Sequence, residues 1–410
     1  MSDKKGTFIS LSVKEFRYFI SSRFFVTVGM EMQAIIVGWQ IYSITHDPLS
    51  LGLIGLTEAI PSIVTAIFAG HIVDKSDRKK VLMVTFTLML ICSALLFIIS
   101  LDSFGIIYEY KLISIYSVIF ISGIARGFYM PASFALLGQL MPTNLYSNAI
   151  SLNTSVFQIG AISGPAVGGF LYGFFGISFS YAFIVAITFI GILSVGFIKK
   201  KPIPIQTKDI PLSESLTAGL KFVFKDKVIL SAMTLDLFAV LFGGAVALLP
   251  VYANDILNVG PKGLGILRAS PAIGALLMGL TIARRPIKKN AGKILLATVS
   301  LFGVCILIFA VSKSFIISVG ALALSGMFDN ISVIIRQTAI QLRTPDYMKG
   351  RVSAVNSIFI GSSNEIGSFE SGTAAKIMGV VPSVLFGGFM TLLVVFIVGL
   401  SSKKLKELNL

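Results

Sequence analysis

The sequence predicts an all-α integral membrane protein of twelve transmembrane helices, arranged as two pseudo-symmetric six-helix halves. Its 410 residues are 55% hydrophobic and only 13% charged, with a mean hydropathy of +0.89, whereas globular proteins carry about 25% charged residues. The apolar residues come in blocks of about twenty or more, the length that crosses a bilayer as a helix. The second half of the chain also repeats landmarks of the first.

In order, the expected spans are 16–44, 49–73, 81–100, 112–140, 144–174 and 178–198, then 228–254, 262–284, 292–311, 314–342, 348–378 and 380–400. The opening block is too long for a signal-peptide core and has no small-residue cleavage site, so it is expected to be a permanent span. Residues 199–227 are polar and basic, with Pro202, Pro204 and Pro211. They form the expected cytoplasmic linker between an N-terminal half, 1–198, and a C-terminal half, 228–410. Cys92 and Cys305 each fall inside an apolar block, which points to neither a disulfide nor a metal site.

The net charge of +15 is explained by sidedness rather than by nucleic acid. With both termini cytoplasmic, the opposite face receives only Lys111, Lys262, Lys313 and Lys376. Four arginines lie within spans, and every other Lys and Arg falls on the cytoplasmic face. That is the bias that orients membrane helices.

The repeat is parallel. "LSLGLIGLTEAIPSIV" (49–64) pairs with "GPKGLGILRASPAIGA" (260–275) around Pro61 and Pro271. "MPTNLYSNAISLN" (141–153) pairs with "TPDYMKGRVSAVN" (344–356). Gly164, Gly169 and Gly176 then fall on Gly367, Gly372 and Gly379. Parallel repeats of this kind build one class of secondary transporter.

Between spans 2 and 3 the chain reads "GHIVDKSDRKK" (70–80). Gly70, Asp74 and Arg78 in this spacing resemble the loop signature of the major facilitator superfamily, with Lys75 and Asp77 where the general pattern has Arg and Gly. The Asp-x-x-Asp-Arg-Lys form is most similar to the subgroup containing siderophore exporters and drug-efflux relatives. The resemblance covers the whole chain. It implies the major facilitator fold, a bacterial inner-membrane location, a gating role for Asp74 and Arg78, and substrate movement by rocking of two halves. Lys79 and Lys80 are expected only to fix sidedness. In span 5, "GAISGPAVGG" (Gly160, Gly164, Pro165, Gly168, Gly169) allows close helix approach and a kink. It also resembles the span-5 motif of the superfamily's exporters, which implies efflux.

Ionisable residues inside a membrane are expensive and are functional candidates by default. Here the acids are Glu31, Glu58, Asp236, Asp329, Glu365 and Glu370, and the bases are Arg23, Arg126, Arg268 and Arg336. Acids outnumber bases, and a carboxylate without a partner in a low dielectric favours its protonated form. Depth groups Glu31 with Arg126, and Asp236 with Arg336. Asp329 lies seven residues before Arg336 on the same helix face. These five are the expected proton-coupling or substrate residues. Glu58 and Arg268 occupy equivalent repeat positions with opposite charge. Together with Trp39, Gln40, Tyr42, Glu365 and Glu370 they are expected at a cavity wall. Arg23, near the cytoplasmic end of span 1, is expected to snorkel.

No phosphate-binding loop occurs, so a transmembrane proton gradient rather than ATP is the expected energy source, with no cofactor or metal. The expected function is proton-coupled export, by antiport, of an amphiphilic small molecule such as a siderophore or drug. A monomer in the lipid bilayer is expected to suffice, and no enzyme activity is expected. A nutrient importer and a non-transporting sensor or scaffold on the same fold are the alternatives.

Overall fold

A computed structural model of the chain describes residues 9–101, 108–142, 145–202, 212–284, 287, 289–345 and 348–409. The first helices are α1 (Lys14–Thr45), α2 (Pro48–Lys75), α3 (Arg78–Ser100), α4 (Tyr108–Leu140) and the 51-residue run α5 (Tyr146–Gly196). α6 (Leu212–Lys225) lies in the linker, followed by α7 (Lys227–Phe242) and the short α8 (Leu249–Val251). Then come α9 (Gly260–Arg284), α10 (Ala291–Val311), α11 (Phe315–Arg343), α12 (Lys349–Met378), α13 (Val380–Ser401) and α14 (Lys403–Lys406).

Among the described residues, ten helical stretches are long and apolar enough to cross a membrane. α5 accounts for one more span. At 1.5 Å per residue it would be about 76 Å long if straight, against a hydrocarbon core of about 30 Å. It is broken at Gly176, whose φ of 81° and ψ of 178° are non-helical. The neighbours on α1 show that the chain reverses there. Gly160 lies against Thr27 and Gly168 against Ile35, so the first arm runs parallel to α1. Beyond the break Tyr181 reaches Gln40 and Gly191 lies against Val26, so the second arm runs back. The twelfth span is α12, 30 residues long, which carries Ser363, Asn364, Glu365, Ser368, Glu370, Ser371 and Thr373. It meets α13 at Gly379 (φ 92°), the residue that the repeat pairs with Gly176.

The chain separates into two compact units, 1–40 with 57–208 and 41–56 with 209–410. In the first, Phe16, Phe19, Leu82, Phe86, Tyr129, Leu136 and Ile198 belong to one buried cluster. In the second, Leu235, Leu295, Val299, Ile335 and Ala339 form another, closed by Leu405 of α14. The backbone N–H of Gly292 donates to the Leu408 carbonyl at 3.2 Å. The hairpin 41–56 packs on α12 within the second unit. Gly52 approaches the carbonyls of Ser368 and Phe369, and a Cβ on Gly372 would lie 2.8 Å from the Gly52 Cα. Lys376 pairs with Asp47 at 2.9 Å.

Two helix starts are closed by aspartates. Asp77 caps α3, its carboxylate accepting from the Lys80 N–H at 3.2 Å. Asp226 caps α7, accepting from the N–H groups of Val228 and Ile229, and also pairs with Arg343 at 2.9 Å. Lys79, expected only to set sidedness, also donates to the carbonyls of Gly196 and Ile198 at the end of α5. Such a cation satisfies carbonyls that a helix C-terminus leaves unpaired.

Candidate functional site

Six of the ten intramembrane charges gather into two clusters, one per unit. In the first unit, α4 crosses α2 with almost no space between backbones. A Cβ on Gly123 would collide with the Glu58 carbonyl oxygen, and one on Gly127 would lie 2.7 Å from the Ser62 carbonyl. Small residues four apart permit this approach. Arg126 sits three residues after Gly123, on the same side of α4, and pairs with Glu58. The grouping of Arg126 with Glu31 by depth is therefore extended to Glu58, because the α2–α4 crossing brings the Glu58 side chain to the guanidinium. Glu31 stands within Coulombic range of Glu58.

The span-5 glycines determine where Glu31 stands. A Cβ would lie 2.8 Å from Thr27 Cγ2 if built on Gly160, 2.5 Å from Glu31 Cβ on Gly164, and 3.0 Å from Ile35 Cγ2 on Gly168. The ladder of every fourth residue on α5 thus seats every fourth residue of α1. Pro165 and Gly169 are buried beside it.

In the second unit, Asp236 of α7 forms an ion pair with Arg336 of α11. The two residues are only 7% and 2% exposed. Asp329, two turns before Arg336, lies within Coulombic range of both. The backbone of α11 is drawn against α9 at Gly326, where a Cβ would collide with the Pro271 carbonyl. The repeat that relates Pro142 to Pro345 also places Arg126 on Asp329. With Glu58 on Arg268, both members of the first unit's pair change sign in the second. Each cluster holds two carboxylates and one arginine.

Other expected residues fall elsewhere. Arg78 donates to the Ala135 carbonyl of α4 at 2.9 Å. A Cβ on Gly70 would meet nothing within 4 Å. The Asp74 side chain lies outside the described residues. Trp39, Gln40 and Tyr42, expected at a cavity wall, are buried in packing. Trp39 sits edge-on to Tyr172, Gln40 accepts from Tyr181 at 2.7 Å, and Tyr42 donates to Asp255. Glu365 is half-buried near Gly55, Glu370 lies 3.4 Å from the Ser371 hydroxyl, and Arg268 is half-buried on α9. Arg23, expected to snorkel, is instead 3% exposed. Its guanidinium lies 4.8 Å from the Tyr129 ring centre and 5.6 Å from that of Phe157.

The family described as transmembrane secretion effector matches residues 5–409. The chain belongs to that family. It is a multi-pass membrane transporter of the major facilitator type. The enterobactin exporter EntS of Shigella dysenteriae serotype 1 (strain Sd197) is 25% identical over 397 residues, spanning 96% of this chain and 94% of that protein. EntS of Escherichia coli O1:K1 / APEC aligns over the same shares at the same identity. Among solved structures, a D-xylose–proton symporter superposes with a TM-score of 0.74 at 14% identity, covering 97% of this chain and all of that one. The nucleoside transporter NupG superposes with a TM-score of 0.73 at 15% identity, covering 95% and 100%. The last two likenesses concern the fold alone.

Proposed function

We propose that this transporter exports an amphiphilic small molecule, of the siderophore or drug type, from the cytoplasm in exchange for inward-moving protons. The observation that carries the proposal is the pair of clusters, each with one carboxylate more than its arginine can neutralise. A surplus acid at membrane depth is a group that can take and release a proton without breaking the ion pair beside it. The near full-length likeness to enterobactin exporters supports the direction, as does the glycine ladder of α5. The distribution of Lys and Arg supports cytoplasmic termini, and the bacterial relatives support an inner-membrane location.

In this mechanism Glu31, Glu58 and Arg126 form one proton-exchange group, and Asp236, Asp329 and Arg336 the other. Substrate entering from the cytoplasm displaces the proton of the surplus carboxylate to the cytoplasm, and after substrate leaves on the opposite face a proton from that side reloads the acid. Asp74 and Arg78 stabilise one state of the cytoplasmic gate.

The test uses inside-out membrane vesicles with an imposed pH gradient and enterobactin as probe. Gradient-dependent uptake is expected. Uptake only in right-side-out vesicles would establish import and overturn the proposal. Glu31→Gln should flatten the dependence of uptake on the gradient, and a response equal to the parent's would remove Glu31 from coupling. Asp74→Asn should slow uptake with expression intact, and parental rates would remove it from the gate.

A further inference from the structure

We propose that Arg23 is an anion-recognition residue that receives the negatively charged group of an aromatic, amphiphilic substrate. This rests on the export reading for its direction, but not for its geometry. Arg23 is 97% buried by its 3% exposure, and no carboxylate or carbonyl approaches its guanidinium among the described residues. Its contacts are the Met130 sulfur, at 3.7 Å and 3.6 Å from the two terminal nitrogens, and the faces of Tyr129 and Phe157. Nε is buried without any hydrogen-bond partner. A guanidinium removed from water needs an anion or several oxygen acceptors. Two rings and a thioether replace only part of that hydration.

The surroundings specify what is missing. The Ser133 hydroxyl, one turn from Tyr129 on α4, is buried without a partner, as is Asn153 Oδ1, one turn from Phe157 on α5. Unpartnered polar atoms thus occur on α1, α4 and α5 around one level, beside two aromatic faces. A flat anion such as an aromatic carboxylate matches both features, its oxygens meeting Arg23 and Ser133 and its ring meeting Tyr129 and Phe157. The approach is polar as well. Ser151, Thr154, Ser155 and Gln158 recur at helical spacing on α5 and are all exposed, an arrangement unsuited to lipid and suited to a wetted path. Met130 is 56% exposed, so a flexible thioether lies between Arg23 and the surface. Arg23 stands two turns before Glu31 on α1, so a molecule entering from the N-terminal end of that helix reaches the guanidinium before the proton-exchange group.

The experiment measures binding of 1-naphthoate and its neutral isostere 1-naphthamide to the purified full-length protein by equilibrium dialysis. The parent should bind the carboxylate at least tenfold more tightly than the amide. Arg23→Gln should bring that ratio close to one while amide binding stays within twofold, and Arg23→Lys should retain part of the preference. Phe157→Leu should weaken both probes together, which keeps a ring-specific readout if Arg23→Gln does not fold. Equal binding of the two probes by the parent, no binding of either, or an undiminished ratio in folded Arg23→Gln would each overturn the assignment. Anion preference with no gradient-driven uptake in vesicles would instead overturn the proton-coupled export reading and leave Arg23 in place.

Discussion

Gly164→Ala reaches the first cluster through a single added methyl group. The added Cβ would lie 2.5 Å from the Glu31 Cβ and 3.0 Å from the Val28 carbonyl oxygen, whereas ordinary contact begins at 3.4 Å. The difference, 3.4 minus 2.5, requires a retreat of about 0.9 Å at a place where the obstructing atoms are fixed to the α1 backbone. Overpacking of this kind costs about 1–3 kcal/mol, offset in part by about 1 kcal/mol from replacing a helical glycine. The net loss of stability is therefore small, while Glu31 is displaced relative to Glu58 and Arg126 by a large fraction of an ångström. The expectation is gradient-driven uptake reduced about tenfold or more, since misplacements near 1 Å can cost about a hundredfold, with the heat-denaturation midpoint in detergent lowered by only a few degrees. Gly168→Ala, whose added Cβ would lie 3.0 Å from Ile35 Cγ2 and 3.2 Å from Met32 Cα, needs a smaller retreat and should be milder. Gly196→Ala, where a Cβ meets nothing within 4 Å, should be indistinguishable from the parent. If Gly164→Ala matched Gly196→Ala in both rate and midpoint, the seam between α1 and α5 would not be what holds Glu31.

Three further outcomes are expected. Asp236→Asn should cost about 1–2 kcal/mol because Asp329 remains near Arg336, whereas Asp236→Asn with Asp329→Asn should cost about 3–5 kcal/mol by stranding a buried arginine; strictly additive heat-denaturation shifts would contradict the shared cluster. Gly176→Ala and Gly379→Ala place a side chain in a φ/ψ region reserved almost wholly for glycine, at about 1–3 kcal/mol each; unchanged thermal midpoints would contradict the sharp reversals. Gly372→Val should prevent the hairpin 41–56 from packing on α12, lowering uptake severalfold, while Lys376→Ala should change stability by less than about 1 kcal/mol because that ion pair is solvent-exposed; chemical cross-linking between cysteines placed at 47 and 376, where the parent side chains meet, would report the packing.

Much of the fold was legible because bilayer thickness imposes a length on every span, and because a parallel repeat writes the same landmarks twice. Gly176 and Gly379 show how far this reaches, since the two glycines paired by sequence share a positive φ. Asp236 and Arg336 could be grouped by depth alone, as both stand at similar depth in the same half. Arg126 had two acids within reach, and the choice depended on helix rotation, which hydropathy does not encode. The spacing of Gly123 and Gly127 did carry that information, since it marks the face on which α4 meets α2. Trp39, Gln40 and Tyr42, expected at a cavity wall, are seated in packing, because amphipathic side chains serve a cavity and a packed seam equally well. Arg23 was missed because a position near a span's end invites snorkelling, and only the tertiary packing shows the guanidinium turned inward. Asp77 identified a subgroup in sequence and proves to cap a helix, so a residue that distinguishes relatives can owe its place to local backbone chemistry.

The single-glycine reversals at positions 176 and 379 also bear on how the chain enters the membrane. Each joins two spans with no intervening loop, so the insertion machinery has no polar loop to carry across at either place, only Lys376 beside the second turn. Each pair of spans can enter as one preformed hairpin. The same economy leaves nothing at those turns for a protease to cut or an antibody to grip, and an epitope inserted there would separate two helices that are built to arrive together.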